Sequence, residues 1–215
     1  KNGWFNTFYS KQDIARQGKF EDNYQQGIWK TWYDNKSPKD SGNYKSGLKD
    51  GFWKTWYENG QLESEGSYTQ SLMEGTWKWF RENGSPSTVE TYKSNVLTNL
   101  TCYNNQGDST GSFCGIDVPP AFPGGEDSLQ SFIVDNLFYP DEAVKKRIEG
   151  DVSFSYLVKK DGTIGNIIIE SSPSPLLSDE VKRLLLSMPK WEPATSHNRN
   201  VDYLEKMTLP FYLDE

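Results

Sequence analysis

Aromatic and polar residues alternate along the first half of the chain at the spacing of a β-strand. The segment Trp-Lys-Thr-Trp-Tyr that begins at Trp29 recurs, with small changes, at Trp53 and Trp77. Such alternation puts every second side chain on one face of a strand. Asn59-Gly60 and Asn83-Gly84 follow two of these segments, and both residue types tolerate the positive φ of a tight turn. Each copy therefore predicts one β-hairpin.

The hairpin pattern has a period of 24 residues. Gly27, Gly51 and Gly75 open three close copies, a weaker copy begins at Gly3, and a degenerate one ends near residues 103–107. An isolated hairpin is barely stable in water, so we expect successive hairpins to stack and to bury a shared aromatic seam. We interpret the tryptophan stripe mainly as this core, with a ligand-stacking platform as the alternative.

These copies resemble MORN repeats, in the short bacterial variant with the core Gly-x-Trp-x-x-Tyr/Trp-x-x-Asn-Gly, over residues 3–107. The resemblance implies an all-β array of stacked hairpins. The family is usually described as an interaction scaffold, and lipid binding is claimed for some of its members.

The second half of the chain has the pattern of a small α+β domain with an antiparallel sheet. Apolar residues at helical spacing, strand-like alternation and turn residues delimit its elements. The predicted elements are helices over Glu126–Phe138, Asp141–Arg147 and Asp179–Met188 (with Ser178 as N-cap), a hairpin over 152–170, and a last strand over Val201–Leu213. The run Ile167-Ile168-Ile169 is expected to be covered on both faces. Pro210 marks the last strand as an edge strand.

Charge divides at the same place as the pattern. Residues 1–116 carry 13 basic and 13 acidic side chains, so the net charge of −7 belongs to residues 117–215. The stiff segment Asp117-Val118-Pro119-Pro120 separates two predicted domains, 1–116 and 117–215. A net negative chain is a poor binder of phosphate backbones, so we expect no nucleic-acid partner. No run of 18 apolar residues is present to span a membrane.

The two cysteines bear on the cellular compartment. Cys102 and Cys114 flank a polar loop, which suits a cross-strand disulfide formed in an oxidising compartment; two unpaired thiols are the alternative. The sequence starts at Lys1, and we expect a signal peptide, lipid anchor or membrane helix in a missing N-terminal segment.

The second half resembles the C-terminal domain of TonB, a protein that energises outer-membrane transporters. The matching residues, in family order over residues 120–213, are Pro123-Gly124-Gly125, Tyr139-Pro140, Ala143, Gly150, Val152, Val158, Asp161-Gly162, Ser171, Met188-Pro189-Lys190-Trp191, Pro193-Ala194 and Leu209-Pro210-Phe211. The chain departs from the family at Arg199-Asn200-Val201, which lacks a glycine, and at Ser172–Leu177, which lengthens a loop.

The TonB resemblance implies a periplasmic, non-enzymatic domain that binds an extended transporter segment beside its last strand by β-augmentation. The candidate binding backbone is that of Tyr203, Leu204, Glu205, Lys206, Met207 and Thr208. Outward-pointing Leu204, Lys206 and Thr208 would shape selectivity. The alternative is an edge covered by the preceding loop, by the repeat domain or by a second copy of the chain.

Three functional hypotheses remain, of which the third, an enzyme, has no catalytic constellation in the sequence to carry it. The first is a periplasmic TonB-like adaptor or energy transducer, in which the repeats act as a spacer or docking arm for an outer-membrane transporter. The second is an envelope scaffold, in which the repeats bind the partner and the TonB-like domain forms a homodimer. His197 lies in a polar loop with no plausible triad. We therefore expect no catalytic residue, and with a single histidine and two cysteines we expect no metal and no cofactor.

Overall fold

The computed structural model describes residues 1–115 and 117–213, which fall into two units, Lys1–Cys114 and Gly115–Glu215. The first unit is one antiparallel sheet of ten strands in sequence order, which confirms the predicted hairpin array. Its strands are β1 (Gly3–Phe8), β2 (Ile14–Glu21), β3 (Tyr24–Trp32), β4 (Pro38–Lys45), β5 (Leu48–Trp56), β6 (Leu62–Thr69), β7 (Leu72–Phe80), β8 (Pro86–Lys93), β9 (Val96–Tyr103) and β10 (Ser109–Gly111). The hairpins join edge to edge.

In each of the three closely similar repeats, a tryptophan ring packs against a glycine of the preceding strand. The Trp29, Trp53 and Trp77 side chains are at most 2% exposed. The three ring-on-glycine pairs are Trp29 on Gly18, Trp53 on Gly42 and Trp77 on Gly66. The indole N–H groups donate to the backbone carbonyls of Lys19, Asn43 and Ser67. The rings are therefore core residues, and the recurring glycines provide the space that they need.

Tyrosine side chains link each repeat to the next. A phenol from the end of one hairpin donates to a carbonyl 23 residues later; the pairs are Tyr9 to Trp32, Tyr33 to Trp56 and Tyr57 to Phe80. Arg81 stands one period after Tyr57, where the other repeats have tyrosine, and its guanidinium donates to the carbonyl of Tyr103 over 2.7 Å. These bonds join hairpins that are one period apart, so they help to hold the repeat length constant along the sheet.

The C-terminal end of the array differs from its interior. Cys102, fully buried in β9, forms a disulfide with Cys114. The position 24 residues after Gly66 holds Glu90, which is also fully buried. Its carboxylate accepts hydrogen bonds from Thr88, Tyr92 and Trp79 at 2.7 to 3.1 Å. A polar cluster therefore takes the place of the ring-on-glycine pair at this end.

The second unit packs three helices against a three-stranded antiparallel sheet, which confirms the predicted α+β class. In chain order its elements are β11 (Asp117–Val118), α1 (Gly125–Asn136), α2 (Asp141–Lys145), β12 (Gly150–Val158), β13 (Ile164–Ser171), α3 (Pro175–Ser187), β14 (Thr195–Ser196), β15 (Arg199–Asn200) and β16 (Tyr203–Phe211). The main sheet has the order β13-β12-β16, and the three short strands form a second sheet. The inward residues of β12 meet buried leucines and a valine of α3 in the core.

Two details of this unit differ from the predictions. Helix α3 begins at Pro175, one turn before the predicted start, because Ser174 rather than Ser178 caps it by accepting a hydrogen bond from the Leu176 N–H. The expectation that the isoleucine run is covered on both faces is wrong, since Ile168 is 58% exposed. In the described residues the helices pack on one face of this sheet, and Ile168, unlike Ile167 and Ile169, is not part of the core on that face.

Candidate peptide-binding edge

Strand β16 is an open edge of the main sheet. It pairs with β12 over nine consecutive residues, from Tyr203–Val158 to Phe211–Gly150, with no register shift. No strand in the described parts of the chain pairs with its other side. A regular edge of this length presents a row of backbone donors and acceptors to an incoming strand.

The opposite edge of the same sheet is irregular. The pairing of β13 with β12 shifts register twice, and Asn166 within β13 has a positive φ of 46°. Bulges of this kind twist an edge and interrupt the row of hydrogen-bonding groups. The two edges therefore differ, and β16 is the one suited to adding a strand.

Pro210 indicates which backbone groups of β16 face the open side. Successive residues of a strand direct their N–H and C=O groups to alternate sides. Pro210 lies opposite Asp151 within the ladder but has no N–H to donate to β12, so we infer that its position faces outward. Alternation then directs the N–H groups of Leu204, Lys206 and Thr208 to the open edge.

Side chains divide between the two faces of β16. Leu204 is 54% exposed on the outer face. On that face Lys206 bonds Glu170 at 2.8 Å, and the Thr208 hydroxyl lies 2.9 Å from that of Ser153. Met207 packs against the core from the inner face. All six candidate residues thus lie on one continuous edge strand, and three of them direct their backbone groups to its open side.

Glu205 is a partly buried carboxylate on the inner face of the edge strand. Burial raises its pKa, and the nearby charge of Glu126 raises it further, although the Lys206 N–H opposes both effects. Ionised Glu205 therefore costs the folded state free energy, because its pKa is higher in the folded than in the unfolded chain.

We expect Glu205→Gln to raise the free energy of unfolding at pH 7, by less than about 1 kcal/mol because the carboxylate remains partly solvated. The gain should vanish as the pH falls below about 4, where the unfolded chain also protonates Glu205. Urea unfolding of both proteins across this pH range measures the effect. Exposed Glu192, changed to Gln, is the control; a gain that persists in acid would contradict this account.

His197 lies in a tight turn between two short strands. His197 and Asn198 both have positive φ and form the two-residue turn between β14 and β15. Such a turn needs residues that tolerate this conformation. The backbone geometry therefore gives this segment a structural role.

The ten-stranded sheet offers a second candidate surface, which the sequence pattern did not distinguish from the aromatic core. Trp32, Pro38 and Trp56 line an open cleft of about 290 Å³ on the ten-stranded sheet, together with Lys30, Thr31, Asp40 and Ser41. Trp29 and Trp32 differ in parity along β3, so their side chains lie on opposite faces. That parity is visible in the sequence, and it distinguishes the tryptophans of the core from those of the cleft.

Comparison with known families matches both halves of the chain. Residues 135–213 match the family described as Gram-negative bacterial TonB protein C-terminal. Residues 25–46, 49–70 and 73–94 each match the MORN repeat variant. Both resemblances drawn from the sequence are thereby confirmed over these residues, where the chain is similar to MORN repeats and to a TonB C-terminal domain. A search of curated proteins finds no match.

These matches support a TonB-like protein of the Gram-negative envelope, with a periplasmic location and with envelope or outer-membrane proteins as partners. The repeats suggest protein interaction, and both families are non-enzymatic. Within residues 1–115 and 117–213, no helix has the length and apolarity needed to cross a membrane.

Proposed function

We propose that this protein is a periplasmic TonB-like adaptor or energy-transducer component that binds an extended peptide of an outer-membrane transporter. The peptide adds to β16 by β-augmentation, and the protein acts in transport by binding rather than by catalysis. The observation that carries the proposal is the regular nine-residue pairing of β16 with β12 beside an open edge. The alternating outward groups would bond the peptide backbone, and exposed Leu204 would contact its side chains.

Thr208 allows a test that separates binding from folding. Thr208→Pro removes an outward N–H and places a ring at the edge, as Pro210 already does two residues later, while the bonds to β12 remain. Thr208→Val is the matched control, because it also loses the hydroxyl near Ser153 but keeps the N–H. We expect the proline variant to bind at least about tenfold more weakly than the valine variant, which keeps the outward N–H.

The probes are synthetic peptides covering the periplasmic N-terminal segments of outer-membrane transporters, titrated into the ¹⁵N-labelled chain. The amide signals of Leu204, Lys206 and Thr208 should shift first and saturate. Circular dichroism of both variants verifies their fold. The proposal fails if no peptide moves these signals, or if Thr208→Pro folds normally and binds as tightly as Thr208→Val.

The alternative function is an envelope scaffold in which the repeats bind the partner and the TonB-like domain forms a homodimer. The open cleft that Trp32 and Trp56 line favours this alternative, because that surface belongs to the repeats.

We also propose that residues 1–116 and 117–215 are separate domains. Sedimentation of the whole chain distinguishes a monomeric adaptor from a dimeric scaffold.

A further inference from the structure

The two faces of β16 differ in charge balance beside the open edge. On the outer face, the Lys206 ammonium forms an ion pair with the Glu170 carboxylate at 2.8 Å. On the inner face, Glu205 is partly buried, and no ion pair of its carboxylate is found within residues 1–115 and 117–213. The outer charge is therefore balanced by a neighbour, whereas the inner charge is not.

A second carboxylate lies close to Glu205. Glu126, in the first turn of α1, adds to the effect of burial that raises the pKa of Glu205. Burial also raises the pKa of Tyr156, and the charges of Glu205 and Glu126 raise it further. Tyr156 is fully buried and lies opposite Glu205 in the pairing of β12 with β16. In the described ranges Glu126 has no ion pair either, so two like charges meet at the inner side of the edge.

A strand added to β16 would place one of its residues directly opposite Glu205. The outward N–H groups belong to Leu204 and Lys206, so in an antiparallel addition Glu205 forms a pair without hydrogen bonds between its members. The side chains of such a pair are close, with Cβ atoms about 4.5 to 5.5 Å apart. Opposite charges stabilise such pairs, and like charges destabilise them. The peptide residue opposite Glu205 is therefore favoured when it is basic.

The energetics of Glu205 favour the same partner. Its ionised form costs the folded chain free energy, because burial and a like charge both oppose it. A cation beside Glu205 would remove part of this cost, and partial burial would make the pair less sensitive to salt than an exposed one. The second half of the chain carries the net charge of −7, which attracts basic segments over a longer range.

We propose that β16 selects peptides that carry a lysine or arginine on the inner face of the added strand, opposite Glu205. Glu205 is the direct partner of this basic residue, and Glu126 strengthens the attraction from α1. Two positions away on the same face the peptide has an apolar residue, because Met207 packs against the core there. This selectivity rests on the proposed addition of a peptide to β16 and defines the class of segment that the edge binds.

Three variants separate the local charges from the overall charge. Glu205→Gln removes the direct partner and should fold well, because the change relieves a buried charge. Glu126→Gln removes the second carboxylate. Asp127→Asn is the matched control, since Asp127 lies in the same first turn of α1 but is not among the charges that shift the pKa of Glu205.

The probe is a nine-residue peptide, Ser-Thr-Val-Thr-Lys-Thr-Val-Thr-Ser, with acetylated and amidated ends. Its symmetry presents the central residue in either strand direction, with a valine two positions away on each side. Two further peptides carry Gln or Glu in place of the lysine. A fourth moves the lysine by one position, which turns it to the outer face without changing the net charge. Each peptide is titrated into the ¹⁵N-labelled full chain and into each variant.

We expect the lysine peptide to bind severalfold more tightly than the glutamine peptide and at least about tenfold more tightly than the glutamate peptide. Glu205→Gln should reduce the preference for lysine over glutamate at least about threefold. Glu126→Gln should reduce this preference less, and Asp127→Asn should leave it unchanged. The peptide with the displaced lysine should bind no better than the glutamine peptide.

The outcomes distinguish this selectivity from the addition of a strand. The selectivity is overturned if the three central residues bind alike, if the preference for lysine survives Glu205→Gln, or if the displaced lysine binds as tightly as the central one. In each of these cases peptide addition to β16 still stands, provided that Thr208→Pro weakens binding of the peptides. If none of the peptides binds, both the selectivity and the proposed addition fail.

Discussion

Gly42→Ala is expected to lower the free energy of unfolding of the hairpin array by about 3 kcal/mol or more. A Cβ at this position would lie 2.1 Å from Cδ2 of Trp53, a ring that is only 2% exposed. The ring cannot move aside easily, because it packs edge to face on Tyr44 at 5.1 Å and its N–H donates to the Asn43 carbonyl. Urea unfolding followed by tryptophan fluorescence measures the loss.

Gly51→Ala separates the steric clash from the general cost of replacing a glycine. Gly51 has a φ of +81° but no atom within 4 Å of an added Cβ, so only backbone strain of about 1 to 2 kcal/mol applies. In the double variant Gly42→Ala/Trp53→Leu the two changes should cost less than their sum, because the smaller side chain relieves the clash. Equal costs for Gly42→Ala and Gly51→Ala would contradict the clash.

The sequence period was sufficient to predict the hairpins, but it did not explain the glycines. Alternation and turn residues specify where each strand of the array begins and ends, since both are local properties. The contact of Gly42 with Trp53 depends on how two strands pair, including a register shift near Gly42. Pairing across strands is a tertiary property, so a single sequence shows the recurrence of glycine without the reason for it.

The second unit shows the same division between local and long-range information. Pro210 correctly predicted an edge strand, because a proline in a central strand would leave a hydrogen bond unmade. The prediction for α3 was wrong by one turn, because both Ser174 and Ser178 are acceptable caps from the sequence alone. The pKa shift of Glu205 arises from burial and from Glu126, which lies 79 positions earlier in the chain. No local pattern indicates such a neighbour.

Glu90→Ala is expected to lower the free energy of unfolding by about 3 kcal/mol, because it leaves buried donors without an acceptor. The carboxylate accepts hydrogen bonds from the hydroxyls of Thr88 and Tyr92 and from the indole N–H of Trp79. A carboxylate suits this site because it only accepts hydrogen bonds. Glu90→Gln keeps the shape but replaces one acceptor oxygen by an NH₂ group, and the Thr88 hydroxyl can turn to accept from it, so we expect a smaller cost of about 1 kcal/mol.

Exposed Glu58, changed to Ala, is the control, and its effect should stay within about 0.5 kcal/mol. Tyr92→Phe tests the network directly. It should cost about 1 kcal/mol in the unchanged protein and less in the Glu90→Ala background, where the hydroxyl has already lost its acceptor. If Glu90→Gln unfolds at the same urea concentration as the unchanged protein, the cluster does not require an acceptor-only group. The end of the array would then be held mainly by the Cys102–Cys114 disulfide and apolar packing.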